Sequence, residues 1–365
     1  MIKLIHGADF HLDAPFTSLS AEQAAQRREE QRGLPDRLAD LAEREHADLV
    51  LLGGDLLDSN HAYYETTRTL SRALGRMGVP VFISPGNHDF YAPRSPYAAT
   101  LWQENVHIFT RETMEAVDLP ELGCVVHGAA FTSPACDTSP IEGFHVPEDG
   151  KTHLMVLHGD VEGKGRYGSI ALRDIAASGL AYLALGHVHA ASGAQTAGRT
   201  TWAYPGCPEG RGFDELGEKG ALVVTLDGAA VSVKFVPLCK RRYEMMTVDI
   251  SDGNPAQRLE AALPKNALMD SYRIFLTGES GEEGVDTAAL EGLAAPYFYS
   301  VSVRDMTRVR QDLWSRGGED TLTGLFLRTL RGRLDAASTD GERAVIEKAV
   351  RFGLAALENR EDCCR

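Results

Sequence analysis

Five short apolar runs, each breaking into a cluster of glycine, aspartate, asparagine or histidine, constrain the fold of this chain more than any other feature. The runs are Ile2 to Ile5, Leu49 to Leu52, Pro80 to Ile83, Leu154 to Leu157 and Tyr182 to Leu185. Their length and their Leu, Ile and Val content match strands buried on both faces. Between them, Leu34-x-x-x-Leu38-x-x-Leu41 and Leu70-x-x-x-Leu74-x-x-Met77 have the spacing of helices packed on a sheet. The pattern predicts a layered α/β fold.

After Gly206 the pattern changes. Ala221 to Leu226 and Ala230 to Val236 read as strands joined by a hairpin at Asp227-Gly228. The main domain is expected to end near Cys239. Tyr243 to Ile250, Gln257 to Leu263, Tyr272 to Leu276, Thr287 to Leu293 and Phe298 to Val303 then alternate as a small β-α-β-α-β unit. From Leu313 the pattern is helical, with a capping box at Thr339-x-x-Glu342. The expected domains are 1–239, 240–310 and 311–365.

Composition excludes several classes. Of 365 residues, 43% are apolar and 24% charged, a globular rather than a disordered profile. No apolar run approaches the roughly 18 residues that cross a bilayer, so no membrane partner is expected. Cys124, Cys136, Cys207, Cys239, Cys363 and Cys364 form no Cys-x-x-Cys pair, which suits a reducing cytoplasm. The net charge of -15 is unlike that of a chain that grips phosphate backbones unaided.

The strand-end clusters are Asp9-Phe10-His11, Gly54-Asp55-Leu56-Leu57-Asp58, Gly86-Asn87-His88-Asp89, His158-Gly159-Asp160 and Gly186-His187-Val188-His189. Ligands bind at the carboxyl ends of strands in α/β sheets, so five such clusters are expected to share one crevice. Imidazole, carboxylate and one amide oxygen suit manganese, iron or zinc. Phosphate esters repel nucleophiles because their oxygens are anionic. Two cations about 3.5 to 4 Å apart clamp those oxygens and activate a water. One carboxylate must bridge the pair, and Asp55, following a glycine, is the candidate.

These five motifs, in this order, resemble the calcineurin-like metallophosphoesterases. The resemblance implies two β-sheets flanked by helices, with a small α+β cap domain and C-terminal helices. It implies two divalent ions, manganese first and iron or zinc as alternatives. Asp9, His11, Asp55 and His189 would hold one ion; Asp55, Asn87, His158 and His187 would hold the other. His88 would face the scissile phosphate rather than bind metal, while Asp58 and Asp89 would orient ligand imidazoles or amides.

His6-Gly7-Ala8-Asp9-Phe10-His11-Leu12 is similar to the opening of SbcD-type DNA repair exonucleases. Phe90 to Tyr97, Leu183 to His189 and Tyr204 to Phe213 look like the shorter bacterial YhaO-type members. Gly159 departs from the glutamine that many relatives carry there. The expected function is a two-metal DNA exonuclease in repair, attacking phosphorus with metal-bound hydroxide. By the same resemblance its partners are DNA, an SbcC-like coiled-coil ATPase docked by the C-terminal helices, and a second copy paired through Tyr63 to Met77. The alternatives are a phosphoesterase for nucleotides or small phosphorylated molecules, and a non-catalytic scaffold regulating the ATPase.

Other residues invite plainer readings. Lys240-Arg241-Arg242 reads as a solvated linker, as do Arg304, Arg308 and Arg310. Cys207 reads as a packed small residue. Arg211 is divided between a substrate phosphate contact and a structural salt bridge. His6, His61, His127 and His153 read as surface or satisfied core histidines, with His61 close behind Asp58.

Overall fold

The computed structural model describes residues 1–357 apart from 18, 164, 252, 282–283 and 310–313. The expectations for Arg310, Leu313, Cys363 and Cys364 therefore lie outside the described residues. The chain divides into two compact units, Met1–Met246 with Leu263–Ile274 and Ala294–Ser302, and Thr247–Ala262 with Phe275–Leu293 and Val303–Arg365.

In the first unit the order is β1 (Ile2–Gly7), α1 (Ala21–Arg32), α2 (Leu34–Glu45), β2 (Leu49–Leu52), α3 (Tyr64–Arg76), β3 (Val81–Ile83), α4 (Pro96–Ala99) and β4 (Val106–Ile108). There follow β5 (Glu115–Leu119), β6 (Cys124–Gly128), β7 (Thr152–His158), α5 (Leu172–Ser178), β8 (Tyr182–Gly186), β9 (Gln195–Ala197), β10 (Thr200–Ala203), β11 (Gly220–Asp227) and β12 (Ala230–Pro237). Two six-stranded sheets result, ordered β12-β11-β1-β2-β3-β4 and β5-β6-β7-β8-β10-β9.

Alternation along the strands sorts the side chains between layers. Leu4, Leu49, Leu51 and Phe82 of one sheet meet Val126, Leu154, Val156 and Tyr182 of the other. Ile5, Val50, Leu52 and Ile83 face the opposite way, onto Leu34, Leu38 and Leu41 of α2 and Leu70 and Leu74 of α3. Met155, Leu157 and Leu183 pack outward with Ile175 of α5. The central strands β2, β3, β7 and β8 are thus covered on both faces, and each buried leucine or isoleucine contributes about 1.5–3 kcal/mol. One polar tie crosses the inter-sheet core: buried His6 meets the Tyr182 hydroxyl at 2.9 Å and the Leu185 carbonyl at 3.1 Å.

Three strands that connect β3 to β7, namely β4, β5 and β6, carry too little apolar sequence to stand out as runs. Helix α1 also lacks the expected stripe; its only apolar residues are alanines, and Arg27, Glu30 and Gln31 are buried. The basic run at 240–242 corrects the linker reading. Arg241 is 4% exposed, donates to Glu30 at 2.8 and 2.6 Å and stacks on Tyr299, while Arg242 pairs with Asp270 at 2.6 Å. His127 and His153 satisfy each other at 2.9 Å, and Cys207 is buried.

Further on lie β13 (Tyr243–Asp249), α6 (Pro255–Ala262), β14 (Ser271–Thr277), β15 (Glu279–Ser280), α7 (Thr287–Ala294), β16 (Ser300–Asp305), β17 (Arg308–Val309), α8 (Leu322–Ala336) and α9 (Asp340–Leu357). Strands β13, β14 and β16 pair in that order. Leu327, Leu330 and Val350 form one small buried cluster in the second unit. Its capping box is closed, with Glu342 N–H donating to Thr339 Oγ1 at 3.2 Å and Thr339 N–H to Glu342 Oε2 at 3.2 Å. Among the described residues no helix is long and apolar enough to cross a membrane.

Candidate metal centre

Strands β1, β2 and β3 run parallel in one sheet and β7 and β8 run parallel in the other. Their carboxyl ends deliver all five clusters to one cleft. The chain bends sharply to do so: Asp9, His11, Asp55 and His187 have φ of 57°, 43°, 50° and 105°. Left-handed backbone at a residue with a Cβ costs on the order of 1–3 kcal/mol, so four such residues in one cleft point to function. Gly86 and Gly186 let the turns close, since a Cβ would strike the Asp55 carboxylate at one and the Gly53 carbonyl at the other.

Three groups of ligand atoms form, one of them His11, Asp58 and His88 at the rim. Asp9, His11 and His189 converge on one side, and Asp55, His158 and His187 on the other. Asp55 Oδ2 lies 3.8 Å from His11 Nε2 and 3.4 Å from His158 Nε2, between the two sides. Asn87 Oδ1 is 2.9 Å from His158 Nε2.

The hydrogen bonds fix which imidazole nitrogens carry protons. His11 Nδ1 faces Asp58 Oδ1 at 3.1 Å, His189 Nδ1 faces Glu215 Oε1 at 2.7 Å, and His158 Nδ1 faces the Gly53 carbonyl at 2.7 Å. Carboxylates and carbonyls only accept, so each Nδ1 donates and each Nε2 keeps a lone pair. Burial pushes His11, His158 and His187 down to about 4, leaving them neutral near pH 7. His11 Nε2 and His189 Nε2 face each other at 3.2 Å, close enough for one cation to be held by both. Burial, with Asp55 beside it, pushes the Asp9 carboxyl well above its ordinary range; burial raises Asp55 and Asp89 too. Imidazoles anchored through their second nitrogen beside buried carboxylates fit divalent metal ions.

The supporting residues divide differently from the sequence expectation. Asp58 is hydrogen-bonded to an imidazole, that of His11. Asp89 instead accepts from the backbone N–H groups of Asp55, Leu56, Leu57 and Gly86 and from the Tyr97 hydroxyl, so it shapes the turn that carries Asp55. Arg211 spends its guanidinium on Glu215 at 2.8 Å and Asp58 at 3.4 Å. Glu215 was invisible in the sequence: it lies 26 residues from His189 and belongs to no motif. His61 is exposed and bonded at its backbone to Ser59.

His88 stands at the exposed rim. Its backbone N–H donates to Asp55 Oδ1 at 2.9 Å, and its Nδ1 donates to the Asp58 carbonyl at 3.0 Å. The ring meets His11 edge to face, with centroids 4.8 Å apart. Among the described residues its Nε2 has no hydrogen-bond partner.

A hydrolytic class for phosphoesters follows from this fold and this donor set, and the chain belongs to it. The calcineurin-like phosphoesterase family model matches residues 2–191, more than half of the chain. The chain is similar to the uncharacterized metallophosphoesterase YhaO of Bacillus subtilis strain 168, 29% identical over 263 residues that cover 69% of this chain and 64% of that one. It is also similar to the DNA double-strand break repair protein Mre11 of Aeropyrum pernix, 26% identical over 272 residues, 69% of this chain and 65% of that one. The chain spans a little under two thirds of the length of these curated relatives. Among solved structures, TT1561 of Thermus thermophilus matches with a TM-score of 0.40 and 14% identity over 64% of this chain and 98% of that one.

Proposed function

We propose that the chain is a two-metal phosphodiesterase that cuts DNA. Asp9, His11, Asp55 and His189 hold one divalent ion, and Asp55, Asn87, His158 and His187 hold the other, with manganese the expected metal. The observation that carries this reading is the position of Asp55 Oδ2 between His11 Nε2 and His158 Nε2, where one carboxylate serves both groups. Bound divalent ions supply positive charge to phosphoryl oxygens and acidity to a coordinated water.

The chain's own residues do the rest. Asp58 and Glu215 keep His11 and His189 in the tautomer that offers Nε2, and the Gly53 carbonyl does so for His158. His88, with Nδ1–H committed to the Asp58 carbonyl, turns Nε2 to the cleft mouth, where it would stabilise charge or donate a proton to the leaving oxygen.

Similarity to a DNA repair protein supports DNA as the substrate. A chain of net charge -15 needs its grip on the duplex from elsewhere, which favours a basic SbcC-like ATPase as partner. The test compares linear duplex with mononucleotide esters in manganese. Cleavage of the duplex is expected. Hydrolysis of small diesters with DNA left intact, even with the ATPase present, overturns the nuclease reading.

A further inference from the structure

Helix α1 presents a puzzle that the centre answers. Burying a polar helix face costs several kcal/mol per unpaired charge, so such a face persists only when its groups are matched. Here the donors that are paired reach the two turns behind one side of the cleft, while Arg27 Nε and Gln31 Oε1 are buried without a hydrogen-bond partner. Gln31, fully buried, donates Nε2–H to the Phe10 carbonyl at 2.9 Å. Phe10 is the residue between Asp9 and His11, both in left-handed backbone. Arg27, 1% exposed, donates to Glu209 Oε1 at 3.0 Å and to the Gly210 carbonyl at 2.9 Å. The next residue is Arg211, whose N–H and guanidinium both bind Glu215, the anchor of His189. Among the described residues, hydrogen bonds from α1 reach neither the Gly53 turn nor Asn87, His158 or His187.

We propose that α1 is a positioning element for one half of the centre: through Gln31 and Arg27 it holds the turns that bring His11 and His189 together, and so sets the affinity of that half alone. The inference rests on the two-metal reading above. Strained turns relax unless the surroundings over-determine them, and Gln31 supplies such a restraint at the residue between two outliers.

Manganese titration of the full chain, read by electron paramagnetic resonance, tests this with Gln31→Met and Arg27→Lys. Methionine keeps the volume of Gln31 and removes its donor; lysine keeps the charge of Arg27 and removes its fork. Wild type is expected to take up two ions. Each variant is expected to weaken one ion about tenfold or more, as losses of outer partners do, and to leave the other unchanged. Anomalous diffraction at limiting manganese is expected to show the remaining ion beside His158 and His187. A merely structural helix would lower the melting temperature in chelator without separating the two affinities. Unchanged affinities, parallel loss of both ions, or depletion beside His158 overturns the proposal. Wild type that binds no ion pair overturns the two-metal reading itself. If Gln31→Met does not fold, Arg27→Lys decides by the same readout.

Discussion

The two sides of the cleft anchor their imidazoles by different means. On the Asp9 side, His11 and His189 donate to Asp58 and Glu215, and Arg211 touches both carboxylates. On the other side, His158 donates to a backbone carbonyl, with Phe131 edge to face against its ring. An imidazole bonded to an ionised carboxylate is a stronger base than one bonded to a neutral carbonyl. Burial works against ionisation of Glu215, yet hydrogen bonds from His189 and Arg211 outweigh it and hold the carboxyl far below its usual range. One side is therefore tuned by side chains and open to mutation, whereas the other is tuned by the fold itself.

The largest effect is expected where the sides meet. Asp55→Ala removes the carboxylate between them, and the proposed function then loses both ions together with at least about 10³-fold in hydrolysis, the worth of several kcal/mol of charge stabilisation. Metal content by mass spectrometry checks it. One ion retained at full affinity would break the idea of a shared carboxylate and make the two sides independent.

His88→Ala comes next. Hydrolysis is expected to fall about 10²-fold while metal content persists, because the His88 side chain reaches the cleft through Nε2 and is held by the Asp58 carbonyl at Nδ1 and by its edge-to-face contact with His11, while alanine keeps the backbone N–H that binds Asp55. Loss of one ion would instead place His88 among the ligands of the Asp9 side, with which it shares Asp58 and His11.

How much of this was legible in the sequence follows the same division. The strand ends were legible because a buried strand must be apolar and its functional end must not be, so Asp9, His11, Asp55, Asn87, His158, His187 and His189 all stood at a change of texture. The two-sheet layering came from the family resemblance rather than from that texture. Glu215 was not legible, because a single carboxylate in a glycine-rich turn has no periodicity and its partner is distant in the chain. Nor was α1, since hydrophobic spacing is blind to a helix that buries ion pairs. The run at 240–242 misled for the same reason: charge near a junction normally means solvent, but Glu30 and Asp270 supply partners inside the protein.

Glu215→Gln is a direct way to equalise the sides. Glutamine still accepts from His189 but carries no charge, so the metal affinity of the Asp9 side is expected to drop about 10- to 100-fold, with the His158 side unmoved. Calorimetric titration with manganese measures both. Equal weakening of the two ions would mean that carboxylate anchoring does not distinguish them.

The smallest effect on hydrolysis, and the one that asks how far charge anchoring extends behind the Asp9 side, is expected from Glu30→Gln. Burial alone would raise the Glu30 carboxyl, but hydrogen bonds and charge from Arg241 and Arg27 prevail and hold it at about 2, against an ordinary value of 4.5. A carboxyl depressed on folding contributes stability that is fully present above about pH 4.5 and is lost as pH falls toward about 2. Melting temperature followed from pH 7 to pH 2 should therefore fall less steeply in the glutamine variant across that window, from a lower starting point at neutral pH. Hydrolysis at neutral pH should change little, because Arg27 keeps Glu209 and the Gly210 carbonyl. Parallel curves for the two proteins would confine the anchoring to Asp58, Glu215 and Arg211, at the cleft itself.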